Sequence, residues 1–156
     1  MAPGDCVDCG VGYLCNREGI TDKERFKCPE GHHCDGTAMT ACVAGTFRRA
    51  TGGAAASDCT QCPAGYYCPE ATVEPIPCVG GKFCVAGSTA EVDCGVWNFC
   101  HEKSGVQTPC PDAYQCPTAL VDIYSKCDNH YYCTSPEDVQ LPCPPGKIGT
   151  GNLNNK

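Results

Sequence analysis

Eighteen of the 156 residues are cysteine, and no other residue type in the chain has comparable means to do chemistry. Two pairs, Cys6-Val7-Asp8-Cys9 and Cys59-Thr60-Gln61-Cys62, have the CxxC spacing of redox motifs and zinc knuckles. A redox CxxC opens a helix within a βαβ unit, whereas both pairs fall at junctions between short cysteine-bounded segments. Paired zinc knuckles lie about 15–20 residues apart; these begin at Cys6 and Cys59 and compete with fourteen other cysteines. His32, His33 and His130 take positions that are aromatic or glycine in sister segments, which points to packing or turn surface rather than ligation. Nucleophile elbow, phosphate loop and EF-hand patterns do not occur. Glu24, Glu70 and Asp138 fall in connecting stretches, where a solvated face is the expected role and calcium bridging a junction the alternative. The sequence predicts no catalytic residue, no metal site, no cofactor and no enzyme.

Cysteine then has to be structural. Val, Ile, Leu and Phe total only 23 residues, too few to bury an ordinary core at this length. Eighteen cysteines permit nine bridges, and such density belongs to an oxidising compartment, so a secreted or surface-displayed chain is expected. The start, Met1-Ala2-Pro3-Gly4-Asp5-Cys6, has no apolar run like a signal peptide, and no stretch is apolar enough to span a bilayer. The chain is therefore read as a piece of a longer one, with Met1 internal. Net charge is −7 and scattered; Arg48-Arg49 is the sole basic doublet, which argues against nucleic acid.

An internal repeat positions the cysteines. Seven segments share Cys-x5-Cys: Cys9 to Cys15, Cys28 to Cys34, Cys62 to Cys68, Cys78 to Cys84, Cys94 to Cys100, Cys110 to Cys116 and Cys127 to Cys133. Units at Cys42 and Cys143 begin alike but lack the second cysteine. From Cys62 onward the units start every 16 or 17 residues. The third position after the first cysteine is Gly12, Gly31, Gly65 or Gly81, replaced elsewhere by Trp97, Ala113 and His130. Aromatics follow it: Tyr13, Tyr66-Tyr67, Phe83, Phe99, Tyr114 and Tyr131-Tyr132. Proline after cysteine presets φ and glycine tolerates φ > 0, so the constant part reads as a tight turn. The expected fold is a small disulfide-rich repeat protein of tandem short β-hairpin and turn modules in an elongated rod. It has little helix and no large hydrophobic core; residues 120–124 are read as a single helical turn.

Four stretches follow: units one and two at 1–41, with Cys6 closing a preceding module; a long unit at 42–61; five tandem units at 62–142; and the start of a further long unit at 143–156. From Cys143 through Lys156 to Cys6 of a following copy is 19 steps, against 17 from Cys42 to Cys59. Copies are thus expected to continue head to tail, as one polypeptide or as docked subunits.

The run Cys42-Val-Ala-Gly-Thr-Phe through Ser57-Asp58-Cys59-Thr-Gln-Cys62-Pro-Ala-Gly-Tyr-Tyr-Cys68 resembles the ephrin-receptor-like cysteine-rich repeat. That family is akin to tumour-necrosis-factor-receptor and EGF-like modules, and occurs in protist and algal surface proteins and in mastigonemes. The resemblance implies that the long unit closes on itself, Cys42–Cys59. Treating the short units alike then gives Cys9–Cys15, Cys28–Cys34, Cys62–Cys68, Cys78–Cys84, Cys94–Cys100, Cys110–Cys116 and Cys127–Cys133, leaving Cys143 for Cys6 of the next copy. The rival scheme pairs neighbours across the links, such as Cys15–Cys28, Cys34–Cys42, Cys68–Cys78 and Cys133–Cys143, with Cys6–Cys9 and Cys59–Cys62 as small rings. Trp97, Ala113 and His130 depart from the glycine pattern, so those turns are expected to differ.

The resemblance and the repeat point to a structural subunit of an extracellular filament or surface coat, mastigoneme-like, at the cell or flagellar surface. Bridges every few residues are expected to keep such a rod from lengthening under load and to resist proteolysis. Its partners would be copies of itself, other filament proteins and O-linked glycans on the Thr- and Pro-rich links; no Asn-x-Ser/Thr acceptor occurs. The alternative is a receptor or adhesin ectodomain whose Trp97, Tyr124 and Tyr131 form a ligand patch.

Overall fold

The computed structural model describes residues 8–111, 114–116, 125–126, 131–133 and 140–147. Ala113, Tyr124, His130, Asp138 and the 120–124 turn lie outside the described residues. So do Cys6 and Cys127, and with them the pairs Cys143–Cys6 and Cys127–Cys133.

The chain forms small antiparallel hairpins linked by turns, with no α-helix among the described residues. Four of the hairpins start just after a glycine with positive φ, Gly31, Gly45, Gly65 or Gly81. Tyr66 N–H donates to the Pro63 carbonyl (3.2 Å) with Gly65 at φ 85° between them. Thr46 to Val43, Lys82 to Val79 and Lys147 to Pro144 repeat this across Gly45, Gly81 and Gly146. Such a turn needs φ > 0 at its third residue, a conformation glycine adopts without the steric cost other residues bear. Trp97 enters the same left-handed region, φ 68°, so the glycine-to-tryptophan exchange keeps the turn. The proline of Cys62-Pro63 takes the first position of the turn, where its carbonyl accepts.

Past the turn the chain pairs with the two or three residues that precede the next unit. The hairpins are β1 His32–Cys34 with β2 Met39–Ala41, β3 Thr46–Phe47 with β4 Thr60–Gln61, and β5 Tyr66–Tyr67 with β6 Ile76–Pro77. Next come β7 Lys82–Phe83 with β8 Val92–Asp93, and β9 Asn98–Phe99 with β10 Thr108–Pro109. Last are β11 Tyr114–Gln115 with β12 Ser125–Lys126, and β13 Tyr131–Cys133 with β14 Gln140–Pro142. One register position recurs: Phe47 opposite Thr60, Tyr67 opposite Ile76, Phe83 opposite Val92 and Phe99 opposite Thr108. An aromatic facing a β-branched residue is among the better cross-strand pairs, about 0.2–1 kcal/mol each. A hairpin of two residues per strand does not stand alone; something must close it.

Sulfur closes it. Among the described residues seven disulfides join Cys9–Cys15, Cys28–Cys34, Cys42–Cys59, Cys62–Cys68, Cys78–Cys84, Cys94–Cys100 and Cys110–Cys116. The fully buried side chains among the described residues are all cysteines, and Phe99 is the other buried apolar group. The interior is thus a column of sulfur bridges rather than a hydrocarbon core. Among the described residues two 3-10 turns, Lys23–Phe26 and Ala56–Asp58, were not foreshadowed by any periodicity. They occupy the two long connections between Cys15 and Cys28 and between Arg48 and Cys59.

Candidate functional site

The surface on which one unit rests upon the next repeats from Cys9 to Cys110, and it is built from main-chain atoms. In six units the first cysteine donates its N–H to the turn residue of the unit before: Cys28 to Gly12, Cys42 to Gly31, Cys62 to Gly45, Cys78 to Gly65, Cys94 to Gly81 and Cys110 to Trp97, all within 2.7–3.0 Å. That glycine's own N–H reaches the carbonyl at the sixth position of the next unit, as in Gly45 to Cys68, Gly65 to Cys84 and Gly81 to Cys100. The second cysteine then donates forward: Cys68 to Ser88 and Cys84 to Ser104 (both 2.9 Å). Units therefore bond to their successors through the same atoms each time, the signature of a solenoid whose stability is a sum of neighbour terms.

A second turn follows the second cysteine and completes the surface. Ala71, Gly87 and Lys103 stand three residues past Cys68, Cys84 and Cys100, all with φ between 59° and 81°. Their N–H groups return to the first cysteine of the preceding unit: Ala71 to Cys42, Gly87 to Cys62 and Lys103 to Cys78. Their carbonyls press on the glycine two units back, Ala71 on Gly31, Gly87 on Gly45 and Lys103 on Gly65. A Cβ at any of these glycines would strike a carbonyl oxygen, so glycine is required there twice over, by φ and by space. Thr72, Ser88 and Ser104 come next. Thr72 Oγ1 donates to the Pro69 carbonyl and Ser104 Oγ to the Val106 carbonyl, securing the turn locally. The sequence held this signal as Cys-x3-[Ser/Thr], in Cys68-Pro-Glu-Ala-Thr72, Cys84-Val-Ala-Gly-Ser88 and Cys100-His-Glu-Lys-Ser104. Sequence reasoning missed it because only one of the three residues preceding the hydroxyl is glycine.

The long unit shows how the surface survives loss of a cysteine. Arg48 takes the sixth position: its carbonyl accepts from Gly31 and its N–H donates to Thr72, as a second cysteine would. Its guanidinium donates to the Asp58 carbonyl at 2.9 Å and the Thr51 carbonyl at 3.3 Å, pinning the inserted loop. Cys42 meanwhile bridges to Cys59 at the loop's far end. Asp58 Oδ2 accepts the Ala54 and Ala55 N–H groups, which with the positive charge of Arg48 holds its carboxyl below the usual range. Asp35 is lowered likewise by N–H groups of Ala38 and Thr37.

Among the described residues, charged side chains decorate the hairpins without gathering into a cluster that could hold a metal ion. Lys82 lies opposite Asp93 and contacts both it (3.6 Å) and Glu91 (3.7 Å), while Glu91 accepts the Val79 N–H. Arg49 pairs with Glu74 and lies over the Phe47 ring. Tyr13 donates to Glu24, and Lys27 pairs with the same carboxylate. Those contacts lower the Glu24 carboxyl and raise the Tyr13 hydroxyl and the Lys27 ammonium.

The residues singled out for chemistry are dispersed. Cys59 and Cys62 belong to different bridges, to Cys42 and to Cys68, so this CxxC is neither a redox pair nor a knuckle. Cys9 is bridged to Cys15, and Cys143 is a half-buried free thiol. His32 Nδ1 hydrogen-bonds the Glu30 carbonyl at 2.9 Å, His33 is half-buried in β1, and Glu70 is exposed. Glu24 is exposed and pairs at the surface with Tyr13 and Lys27. Trp97 is half-buried and Tyr131 43% exposed; they stand in separate hairpins. Among the described residues no group of three His, Cys, Asp or Glu is placed to hold a metal ion. No helix among them is long and apolar enough to cross a membrane.

No protein-family model matches the chain. Among curated proteins it is similar to ABC transporter G family member 28 of Arabidopsis thaliana, 30% identical over 116 residues. The match takes in 64% of this chain and 10% of the transporter, so the chain spans about a tenth of that relative's length.

Proposed function

We propose that the chain is a structural repeat of an extracellular filament or surface coat, of mastigoneme type, assembling head to tail at a cell or flagellar surface. The observation that supports this most is the constancy of the stacking bonds. The donors and acceptors are main-chain atoms of the cysteine and turn positions, so any further unit of the pattern brings the same set. Open, heterologous growth follows from such a surface, because what one unit presents differs from what it receives. Bridge density fits an oxidising, extracellular setting. Similarity to a small part of a much longer transporter supports the view that such segments work within larger proteins. Copies of itself, other filament proteins and O-linked glycans are the partners in this reading. Cys143, closing on Cys6 of the next copy, is the covalent joint.

Electrophoresis of natively isolated, unreduced protein tests it. A ladder of copies that collapses on reduction and disappears in Cys143→Ser is expected, with copies stacked along one axis in electron micrographs. Monomers alone, with Cys143 open to alkylation, would overturn it.

A receptor or adhesin ectodomain is the second reading, favoured by the exposure of Val11, Val43, Val96 and Val106, each 59–66% accessible. It expects a monomer that binds one protein ligand saturably, and fails if substituting these valines leaves that binding unchanged.

A further inference from the structure

The bridges lie within units, not between them. In the short units each closes a ring between residues six apart. Between successive rings run links of ten steps, from Cys68 to Cys78, Cys84 to Cys94 and Cys100 to Cys110, which no disulfide spans. Unit is held to unit by hydrogen bonds such as Gly65 to Cys84, Cys68 to Ser88 and Gly87 to Cys62, and by carbonyls seated on glycines. Little apolar area adds to this, since among the described residues Phe99 is the buried apolar side chain outside the cysteines. Tension along the chain enters a ring at its first cysteine, crosses the sulfurs and leaves at the second. The ring carries force without lengthening, and the link beyond it carries force with only hydrogen bonds to oppose extension. The sulfurs of Cys62, Cys68, Cys78, Cys84, Cys94 and Cys100 are wholly buried while the units remain stacked.

We propose that each short unit is a two-stage extensible element: its link lengthens when the stacking bonds break, and its ring opens only afterwards, once a thiol reaches the newly exposed bridge. The bridges thus limit extension rather than prevent it. The inference rests on the fold and needs no assembly. A ten-step link spans about 33–36 Å when extended, and the Cα–Cα distance across a bridge is 5.9 Å at Cys62–Cys68. One oxidised unit therefore has a contour of about 40 Å. With the ring opened, the sixteen steps reach about 53–58 Å, a further gain of about 15 Å. In the second stage a dithiol's thiolate attacks one sulfur and the other cysteine leaves as thiolate. The dithiol's second thiol then closes its own disulfide, freeing both cysteines.

Pulling the full chain between handles at its ends tests this in single molecules. Without reductant, successive yields are expected, each fitting the oxidised contour. With dithiothreitol, further steps of about 15 Å are expected, appearing only after a unit has yielded. Gly65→Ala should lower the force of yielding and leave the step lengths unchanged. An oxidised chain that gains no length before the handles part would overturn the first stage. Steps of about 15 Å that precede any yield, or full-length release without reductant, would overturn the second.

Discussion

The carbonyl oxygen of Lys103 lies where a Cβ of Gly65 would have to go, although the two residues belong to units two apart. Gly31 and Ala71, and Gly45 and Gly87, stand in the same relationship. A single methyl group at these turns therefore acts between units as well as within one.

Gly65→Ala is expected to cost about 1–3 kcal/mol, from the left-handed backbone at φ 85° together with the displaced oxygen. Gly10→Ala shares the φ (79°) but meets nothing within 4 Å, so it carries the backbone strain alone. Denaturant unfolding of the two variants should separate them by at least about 1 kcal/mol; equal costs would show that the carbonyl contact is unimportant.

Lys103 and Ala71 hold positive φ without being glycine, at 61° and 59°. Replacing either by glycine relieves that strain, offset by the freer unfolded chain. Lys103→Gly should be neutral or raise stability by up to about 1 kcal/mol, read as a rise in the melting temperature. A loss of more than that would mean that the lysine side chain contributes what the backbone argument omits.

Bridges differ by the size of loop they close. The six-residue separation of Cys78–Cys84 predicts a loss of about 2 kcal/mol for the double serine variant, and the 17-residue separation of Cys42–Cys59 about 3. Complete reduction should remove the cooperative transition, because almost nothing else is buried. A reduced chain that still melts cooperatively would contradict a sulfur interior.

The Asp58 carboxyl ionises more readily in the folded chain than unfolded, because Ala54 and Ala55 donate to its charged form. The sign follows: its contribution is present above the unfolded value, about 3.9, and is lost as the pH falls through the lower folded value. Melting temperature should drop on acidification below about pH 4, and Asp58→Asn should flatten that drop. Limited proteolysis adds a second readout, since Arg48→Ala unpins the same loop and should open it to cleavage between residues 49 and 58.

Much of the architecture was legible because the cysteines, the turn glycines and the aromatics after them recur at fixed offsets. The first turn of each unit was readable from Gly65 and Gly81. The second was not, because Ala71 and Lys103 adopt a glycine-like φ that their types do not advertise. Trp97 misled in the opposite sense: its type announced a different turn, and the stacking bond to Cys110 holds it in the common one. The role of Arg48 was hidden because it stands in for a cysteine through its main chain, which leaves no trace in residue type. The stacking surface as a whole shares that invisibility, being made of amides that every residue has.

A molecule whose inside is cystine and main chain makes few demands on the rest of its alphabet. Outside the cysteines, the turn positions, the aromatic pairs and the Arg48–Asp58 loop, a change at an exposed side chain leaves the column and the ladder beside it in place. Valines stand in water at 79, 85 and 92, and lysine sits at 82 where sister units have tyrosine or asparagine. Such a scaffold can be repainted almost freely: texture, charge and stickiness are open to revision while the skeleton stays put.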